Sequence, residues 1–511
     1  MPIDHFHNIS RYEPHTNATF QQLYWLDTST YVPGGPVIVH ALGEDSPSFD
    51  LGWFQNGLLH DIANLTGGVA VLWGQRYYSG GYDIVPDYHY TTENLRFHSN
   101  EQALADLAYF AQRATFSGLE DRNLTAPGTP WIILGGSYAG VISAFTRIQY
   151  PDLFWGGLTS SGVTTGLIDN WQYFDVIRRH APAPCVAAQQ QVTNLMDNIY
   201  ASGNKTALAE LKTALNVSQA STYPNIALLL SSALSTWEQN WNTKSTAYQF
   251  FGKPSTNHDR RKCLTYITTG SPSSYCGMLT SQTIPSSAGV SLQTITHSLL
   301  TFANKTATPN TNTLYHPLLN FFSYIRTTIN YCAGQVVGDC LGIESPSPFD
   351  WLVCTEGGQF ATGYTPGTPG HPHALPLVSR TLTPKFYLDG CHSRYNISYD
   401  PVISRMNKYG GFNLSYPRLA ISTGQLDWYR SDGPLAELLE NGSPNPRVKS
   451  NGTVSEPQII IDGGYHEWDF PGVFANQSIT VPQAVTDAKN REIEAVKAWL
   501  SEWNQTHGLP V

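Results

Sequence analysis

The stretch that most constrains the fold of this chain is residues 131–140, which read Trp-Ile-Ile-Leu-Gly-Gly-Ser-Tyr-Ala-Gly. Residues 131–134 form an apolar run of the length of a buried parallel strand, and residues 139–149 have the composition of a following helix. Ser137 is expected on the tight turn between them, where small neighbours are needed because the two backbones pass close together. The pattern matches the nucleophile motif Gly-x-Ser-x-Gly except at Ala139, which takes the place of the last glycine. The alternative interpretation is a glycine-rich turn with a bystander serine.

Apolar strands and helices alternate on both sides of this turn. Such alternation predicts right-handed crossover units and an α/β fold with an open, mostly parallel sheet, whose site lies at the carboxyl ends of the strands. The predicted strands are 18–31 (at an edge), 37–42, 69–73, 131–134, 152–161, 418–423 and 458–461, and the predicted helices are 58–65, 100–112, 139–149 and 485–503.

The pattern changes between residues 166 and 400. Helical stretches are joined there by loops rich in Ser, Thr, Pro and Gly, and repeated Pro-Gly pairs predict a long irregular loop over 360–377. We interpret residues 1–165 and 401–511 as two parts of one α/β domain and residues 166–400 as an inserted helical domain. The predicted helices of this insertion are 170–179, 189–200, 205–215, 226–241, 292–304 and 318–330.

The cysteines all lie between residues 185 and 391, and none has the Cys-x-x-Cys spacing of a zinc or redox site. Seven cysteines in one region predict disulfides that brace the insertion, with one thiol left over. The alternative is a set of unpaired buried cysteines in a cytosolic protein. The seven are Cys185, Cys263, Cys276, Cys332, Cys340, Cys354 and Cys391.

Composition and charge exclude several classes of protein. The net charge of -10 provides no basic field for nucleic acid, and no run approaches the length of a membrane span. The first residues lack the features of a signal peptide, so we expect either an intracellular protein or a trimmed start. Frequent acceptor sites for N-linked glycans favour a secreted glycoprotein with a trimmed start. These sites include Asn17, Asn64, Asn123, Asn204, Asn216, Asn304, Asn396, Asn413, Asn451, Asn476 and Asn504.

Ser137, Asp427 and His466 each follow a predicted strand, and they occur in the order serine, acid, histidine. This order is typical of the α/β-hydrolase fold. A serine hydroxyl becomes nucleophilic when an imidazole takes its proton, and a carboxylate fixes the tautomer of that imidazole. The backbone N–H of Tyr138 is expected to stabilise the oxyanion. The second oxyanion donor is expected from the loop after Leu42 or from the loop after Trp73.

Other residues compete for two of these roles. Asp432 and Asp462 are rival acids, although Asp427 is favoured over both. The rival histidines do not follow predicted strands. Glu467 and Asp469, beside His466, are interpreted as surface charges. The late rival histidines are His371, His373, His392 and His507.

Several segments together resemble the serine peptidase family that contains lysosomal prolyl carboxypeptidase, dipeptidyl peptidase II and fungal acid prolyl endoproteases. They span nearly the whole chain. They are Asp-His-Phe at 4–6, Thr-Phe-Gln-Gln-Leu-Tyr-Trp at 19–25, Gly-Gly-Pro-Val at 34–37, Gln-Arg-Tyr-Tyr at 75–78, Glu-Gln-Ala-Leu-Ala-Asp-Leu-Ala-Tyr-Phe at 101–110, Gly-Gly-Ser-Tyr at 135–138, Cys-Thr-Glu at 354–356, Gly-Gln-Leu-Asp at 424–427 and Gly-Gly-Tyr-His at 463–466.

The resemblance implies Ser137, Asp427 and His466 as the triad, a disulfide-braced helical cap inserted between serine and aspartate, and cleavage after proline. No cofactor or metal is implied. It also implies disulfides Cys185–Cys263, Cys332–Cys340 and Cys354–Cys391, with Cys276 free. The chain departs from the family pattern at Trp428-Tyr429 after the acid, at Ser79 after the tyrosine pair, and at Glu467 after the histidine. The first departure lies at an expected wall of the S1 pocket.

The leading functional hypothesis is a secreted serine peptidase that cleaves peptide or protein substrates after proline through an acyl-enzyme, at acid pH. A lysosomal or vacuolar location is the alternative. Two other hypotheses are a secreted esterase or lipase of the same fold, and a glycoprotein of that fold that only binds a partner. Exopeptidases recognise a substrate terminus, and the sequence leaves exopeptidase and endopeptidase action open. Candidates for terminus recognition are Glu44, Glu356, Arg76 and His392.

Overall fold

The structure is a computed structural model. It describes residues 1–44, 51–78, 84–85, 89–217, 222–238, 241, 275–305, 313–332, 346–474 and 477–508. Cys263 and Cys340 lie outside the described residues, as do Ser79 and Asn476.

A seven-stranded sheet forms the centre of the molecule, with strand order β1-β3-β2-β4-β5-β6-β7. β1 pairs with β3 antiparallel at one edge, and the other neighbours pair parallel. The predicted α/β class is therefore confirmed. The strands are β1 Tyr24–Asp27, β2 Val37–Ala41, β3 Val69–Trp73, β4 Trp131–Gly136, β5 Gly156–Ser160, β6 Leu419–Gly424 and β7 Gln458–Ile461.

Helices cover the sheet and fill the long connection between β5 and β6. The α-helices are α1 Leu58–Thr66, α2 Thr92–Leu95, α3 Asn100–Ala111, α4 Ser137–Gln149, α5 Gln172–His180, α6 Ala183–Ala201, α7 Lys205–Leu215, α8 Tyr223–Ser231, α9 Tyr275–Thr280, α10 Val290–Lys305, α11 Tyr315–Cys332, α12 Pro348–Leu352, α13 Pro384–Tyr395, α14 Ser404–Asn407 and α15 Gln483–His507. No helix within these described ranges is long and apolar enough to cross a bilayer.

Both faces of the sheet are buried, which explains why β3 and the first four residues of β4 are continuous apolar runs rather than alternating ones. Val37 and Val39 of β2 face a core shared with α3 and α4. Ile38, between them, faces the opposite core, which α1 and α15 close with residues such as Trp499. Helices packed on both faces therefore hold the sheet in place.

The helical segment between β5 and β6, residues 161–418, has a hydrophobic core of its own. Leu195 of α6, Leu211 of α7 and Phe321 of α11 lie in it, all fully buried. Trp428, from the loop after β6, also packs into this core. One aromatic residue of the sheet domain thus anchors the helical segment near the carboxyl ends of the strands.

The disulfides correct one expectation and confirm another. Cys185 is bonded to Cys276, with a Cα–Cα distance of 5.1 Å, so the implied Cys185–Cys263 pair and the free Cys276 are both wrong. The physical reason is that α6 and α9 pack together, which brings these two cysteines within bonding reach. Cys354–Cys391 is present as implied. The implied Cys332–Cys340 pair involves a residue outside the described part of the chain.

Element boundaries differ from the predictions where tertiary contacts decide them. The predicted edge strand over 18–31 is reduced to β1, because only Tyr24–Asp27 pair with β3. The predicted helix over 226–241 is α8 followed by a 3₁₀ helix, Ser232–Trp237. The predicted irregular loop over 360–377 is present without helix or strand.

Candidate active site

Ser137 occupies the turn at the carboxyl end of β4. Its φ is +51°, in the left-handed region that residues other than glycine rarely adopt. It is half-buried, whereas every other residue of 131–140 is buried. Backbone strain of this kind persists only where the surrounding structure enforces it, and it is the geometry expected of a serine in a nucleophile elbow. The bystander interpretation of Ser137 does not account for this strain.

Small residues make the turn possible. A Cβ atom at Gly135 would lie 2.2 Å from the carbonyl oxygen of Ala139, and one at Gly140 would lie 2.8 Å from Thr159 Oγ1. The methyl group of Ala139 is tolerated because its neighbours are glycines: a Cβ at Gly43 or at Gly135 would approach it to 3.1 Å. The departure from the Gly-x-Ser-x-Gly motif is therefore compensated by glycines at positions 43 and 135.

Asp427 and His466 form a buried pair beyond the ends of β6 and β7. The Nδ1 atom of His466 lies 3.0 Å from Asp427 Oδ2 and 3.1 Å from Oδ1. The carboxylate also accepts a hydrogen bond of 2.9 Å from the backbone N–H of Tyr429, which caps the 3₁₀ helix Trp428–Asp432. The hydrogen bond from its own loop thus holds the aspartate in place. Because Asp427 contacts Nδ1 of His466, the other ring nitrogen, Nε2, can face a different partner.

Charge around His466 favours the protonated imidazole. Burial alone would lower the pKa of His466, but the carboxylate of Asp427, with added contributions from Glu467 and Glu238, outweighs burial and raises the pKa above its usual value. This environment stabilises the imidazolium, which is the form that His466 takes once it has accepted a proton.

Tyr138 begins the first full turn of α4, and its side chain is buried. Its hydroxyl accepts a hydrogen bond of 2.6 Å from Nε2 of Gln75, in the loop after β3. The loop after β2 reaches the same elbow, because Gly43 packs against Ala139. Both loops considered as sources of a second oxyanion donor therefore contact the elbow, and the donor roles of Tyr138 and of these loops stay predictions.

The rival residues are engaged elsewhere or exposed. Asp432 is buried, but its carboxylate accepts hydrogen bonds from Ser431 and Asn170. Asp462 and His373 are exposed. The remaining late histidines have other partners: His371 with Asp169, His392 with Asp400, and His507 with the carbonyl of Trp503.

An aromatic cluster lies beside His466, and only its Trp428-Tyr429 part was expected at the site, as a wall of the S1 pocket. The ring of Tyr429 lies 4.5 Å from that of His466, measured between centroids. Tyr173 contacts Tyr429 edge-to-face at 5.3 Å and stacks on Trp428 at 4.9 Å. The position of Tyr429 two residues after the acid was a signal in the sequence, whereas no pattern pointed to Tyr173.

The two acids beside His466 differ from the expectation of surface charges. Asp469 is completely buried and accepts hydrogen bonds from Ser160 and Ser422, so the expectation is wrong for this residue. Glu467 is half-buried and adopts a φ of +54°. Its carboxylate lies against Gly136, since a Cβ there would be 2.0 Å from Oε1. Glu467 thus places a negative charge directly beside the elbow.

The candidates for terminus recognition can now be ranked. Arg76 is fully buried and donates hydrogen bonds of 2.6 and 2.8 Å to Asp106, so its role is to stabilise the fold. Glu356 is buried and accepts hydrogen bonds from Asn100. His392 pairs with Asp400 at the surface of α13. The charges of Glu356 and Glu44 both act on Tyr138, and that of Glu44 acts on Tyr429 as well, so Glu44 stays a candidate for terminus recognition.

Comparison with known proteins decides the family. A sequence model described as serine carboxypeptidase S28 matches residues 2–444, a range that includes Ser137 and Asp427. The chain belongs to this family. It is a serine-type peptidase, and this assignment argues against the esterase or lipase and the binding-glycoprotein hypotheses.

Individual relatives agree with this assignment to the S28 family. The chain is 33% identical over 524 residues to a probable extracellular serine carboxypeptidase of Arthroderma benhamiae, an alignment that covers 98% of this chain and 67% of the relative. It is 27% identical over 228 residues to the lysosomal Pro-X carboxypeptidase of Mus musculus, covering 43% of this chain and 44% of that protein. It is 30% identical over 167 residues to the human thymus-specific serine protease, covering 32% and 30%.

The elbow of this S28 peptidase is expected to tolerate no side chain at position 135. In Gly135→Ala the new methyl group must displace the backbone of α4, and a shift of about 1 Å at a reacting group costs about 100-fold in rate. We expect kcat/KM for a peptide substrate to fall by about that factor, with the thermal unfolding temperature measured in parallel. Gly289→Ala, where a Cβ meets nothing within 4 Å, is the matched control. Full activity of Gly135→Ala contradicts this account of the turn.

Proposed function

We propose that this protein is a secreted serine peptidase that hydrolyses peptide bonds on the carboxyl side of proline at weakly acid pH. Ser137 is the nucleophile, His466 the general base and acid, and Asp427 the residue that orients His466. The observation that carries the proposal is the combination of a strained serine at the end of β4 with a buried carboxylate–imidazole pair at the ends of β6 and β7.

The proposed reaction proceeds through an acyl-enzyme. His466 takes the proton of Ser137 Oγ as that oxygen attacks the scissile carbonyl carbon, and the carbonyl oxygen becomes an oxyanion. The backbone N–H of Tyr138 stabilises the oxyanion. His466 then donates its proton to the leaving amine as the C–N bond breaks. Water, activated by the same imidazole, hydrolyses the ester and regenerates the serine.

Proline preference is supported by the aromatic cluster beside the triad. The rings of Tyr429, Trp428 and Tyr173 lie within 6.0 Å of one another, measured between centroids, and Tyr429 contacts His466. A flat aromatic surface next to the base suits the compact pyrrolidine ring of proline at P1. The name of the mouse relative, a Pro-X carboxypeptidase, points to the same preference.

The helical segment between β5 and β6 is proposed to be an inserted cap domain of an α/β-hydrolase fold, with approximate bounds 166–400. Its separate core and its disulfide Cys185–Cys276 support this interpretation. A cap over the carboxyl ends of the strands restricts which peptides reach the serine. Such a restriction is the usual way in which one fold serves different substrates.

Secretion is supported by the acceptor sites and by the extracellular relative. Nine of the asparagines are exposed, which is what N-linked glycosylation requires. A lysosomal or vacuolar location is the alternative, since the mouse relative is lysosomal by name. The exposed asparagines are Asn17, Asn64, Asn123, Asn204, Asn216, Asn304, Asn396, Asn413 and Asn451.

Buried titratable groups favour weakly acid conditions. Burial raises the pKa of Asp432 to about 7 and that of Glu492 well above its usual value, so their contribution to stability is complete below about pH 4 and is lost as the pH rises through the raised pKa. Burial lowers the pKa of His40 to about 3 and that of His98 as well. Their contribution is complete above about pH 6.5 and is lost as the pH falls. Stability is therefore expected to peak between these limits.

The proposed specificity is tested with two chromogenic peptides that differ only in Pro or Ala at P1. We expect kcat/KM to be at least about 10-fold higher for proline, because a pocket that fits one ring discriminates by roughly this factor. In Ser137→Ala, turnover of the proline peptide is expected to fall by about 10⁴- to 10⁶-fold. Ser298→Ala, an exposed serine of α10, is the control.

Undiminished turnover by Ser137→Ala contradicts the proposed nucleophile. Equal kcat/KM values for the two peptides contradict the proline preference alone. Versions of the proline peptide with free and blocked termini then separate exopeptidase from endopeptidase action.

The pH dependence of stability is tested at Glu492. Its carboxyl group is buried beside Asp469, and burial together with that neighbour raises its pKa, so the folded protein keeps the proton. The unfolding temperature of the wild type is expected to fall by several degrees more than that of Glu492→Gln between about pH 5 and about pH 8. Glu494→Gln, an exposed position of α15, is the control. If the unfolding temperatures of the wild type and of Glu492→Gln change in parallel with pH, the claim that Glu492 is protonated in the folded protein is contradicted.

A further inference from the structure

Three residues of the helical segment hold both loops that carry the acid and the base. Trp237 ends the 3₁₀ helix Ser232–Trp237, and Glu238 and Trp241 follow it. We call these three residues the clasp. Nothing in the sequence singled them out, since they lie outside every motif and beyond the end of an observed α-helix.

The clasp contacts the loop of Asp427 through Trp237. The indole Nε1 of Trp237 donates a hydrogen bond of 2.7 Å to the carbonyl of Leu426, the residue directly before Asp427. The Trp237 ring also packs edge-to-face on Tyr465, at 5.5 Å between centroids. One side chain thus contacts the residue before the acid and the residue before the base.

The clasp contacts the loop of His466 at two further points. The backbone N–H of His466 donates a hydrogen bond of 3.3 Å to Oε2 of Glu238, and the indole Nε1 of Trp241 donates one of 2.8 Å to the carbonyl of Trp468. The base is therefore held through its own backbone as well as through its ring. All three hydrogen bonds join the helical segment to the loops of the proposed triad: two are donated by the indoles of the clasp and one is accepted by Glu238.

The carboxyl group of Glu238 is enclosed. Its Oε1 atom is buried and has no hydrogen-bond partner among the described residues. Leaving a buried carboxylate oxygen without a partner is costly, so a further role for this group is expected. Glutamine or a hydrophobic residue would fill the same volume without burying an unpaired carboxylate oxygen.

We propose that Glu238 is a positioning residue of the active site, which fixes the backbone of His466 and keeps a second carboxyl group beside the Asp427–His466 pair. This inference rests on the proposed function, because it takes His466 as the base. It makes the helical segment part of the catalytic machinery in addition to a restriction on access.

The charge of Glu238 connects this geometry to pH. Burial, reinforced by the charge of Asp427, raises the pKa of Glu238 to about 8, and the ionised form in turn favours the protonated imidazole of His466. In the weakly acid range Glu238 therefore keeps its proton, and its charge raises the pKa of His466 only as the pH approaches and passes 8. The titratable groups that face Glu238 or His466 are Asp427 and Tyr429 after β6, Tyr465 and Glu467 after β7, and Tyr173 of α5.

The test compares Glu238→Gln and Glu238→Ala. Glutamine keeps an oxygen for the backbone N–H of His466 and matches the protonated carboxyl group, so we expect kcat/KM to equal that of the wild type in the weakly acid range. Above about pH 8 only the wild type gains the charge, and the ratio of mutant to wild-type kcat/KM should rise about threefold or more, as a shift of half a pKa unit in His466 requires. Alanine removes the hydrogen bond as well, and we expect kcat to fall about 10- to 100-fold with little change in KM.

Glu210→Gln, in α7 of the same helical segment, controls for the loss of one charge and is expected to leave the profile unchanged. Unfolding temperatures are measured for all variants, so that a loss of folded protein is not taken for a loss of rate. A Glu238→Gln profile that superimposes on the wild type, or a Glu238→Ala variant with full kcat, overturns the proposal. Ser137→Ala, measured in the same assay, distinguishes the two proposals. If Ser137→Ala is inactive and the Glu238→Gln profile equals that of the wild type, only the role of Glu238 is overturned.

Discussion

A carboxylate and an imidazole buried side by side are the interaction on which the rest of this structure depends. Asp427 and His466 are both removed from water, and each is tolerable in that place because the other compensates its charge. The parallel sheet brings them together: β6 and β7 are neighbours, so the loops at their carboxyl ends meet over one edge. β4, two strands further along the sheet, ends in the strained Ser137 at the same edge.

The surroundings of this pair are unusually acidic. Glu238 lies on the backbone of His466, Glu467 lies against Gly136, and Asp469 is buried three residues beyond the base. The charges of Glu467 and Glu238 add to that of Asp427 in favouring the imidazolium of His466. The proposed role of Glu238 makes the helical segment part of this environment.

Much of this arrangement was predictable from the sequence. Apolar runs bounded by Gly and Pro determined the strands, and their order placed Ser137, Asp427 and His466 at one edge of the sheet. Local pattern did not predict what depends on packing between distant segments. Cys185 pairs with Cys276 because α6 and α9 are in contact, and the clasp exists because a 3₁₀ helix ends beside the loops that carry Asp427 and His466. Asp469 looked like a surface charge because burial by Ser160 and Ser422 involves residues far away in sequence.

The central claim is that the strained turn and the buried pair together make one particular hydroxyl reactive. Treatment of the native protein with a fluorophosphonate, followed by peptide mapping, measures this reactivity directly. The account predicts a single adduct, on the peptide that contains Ser137, and a labelling rate that falls steeply in Asp427→Asn, because the imidazole then loses its correct tautomer. An active preparation in which Ser137 stays unlabelled, or in which another serine carries the adduct, contradicts the account.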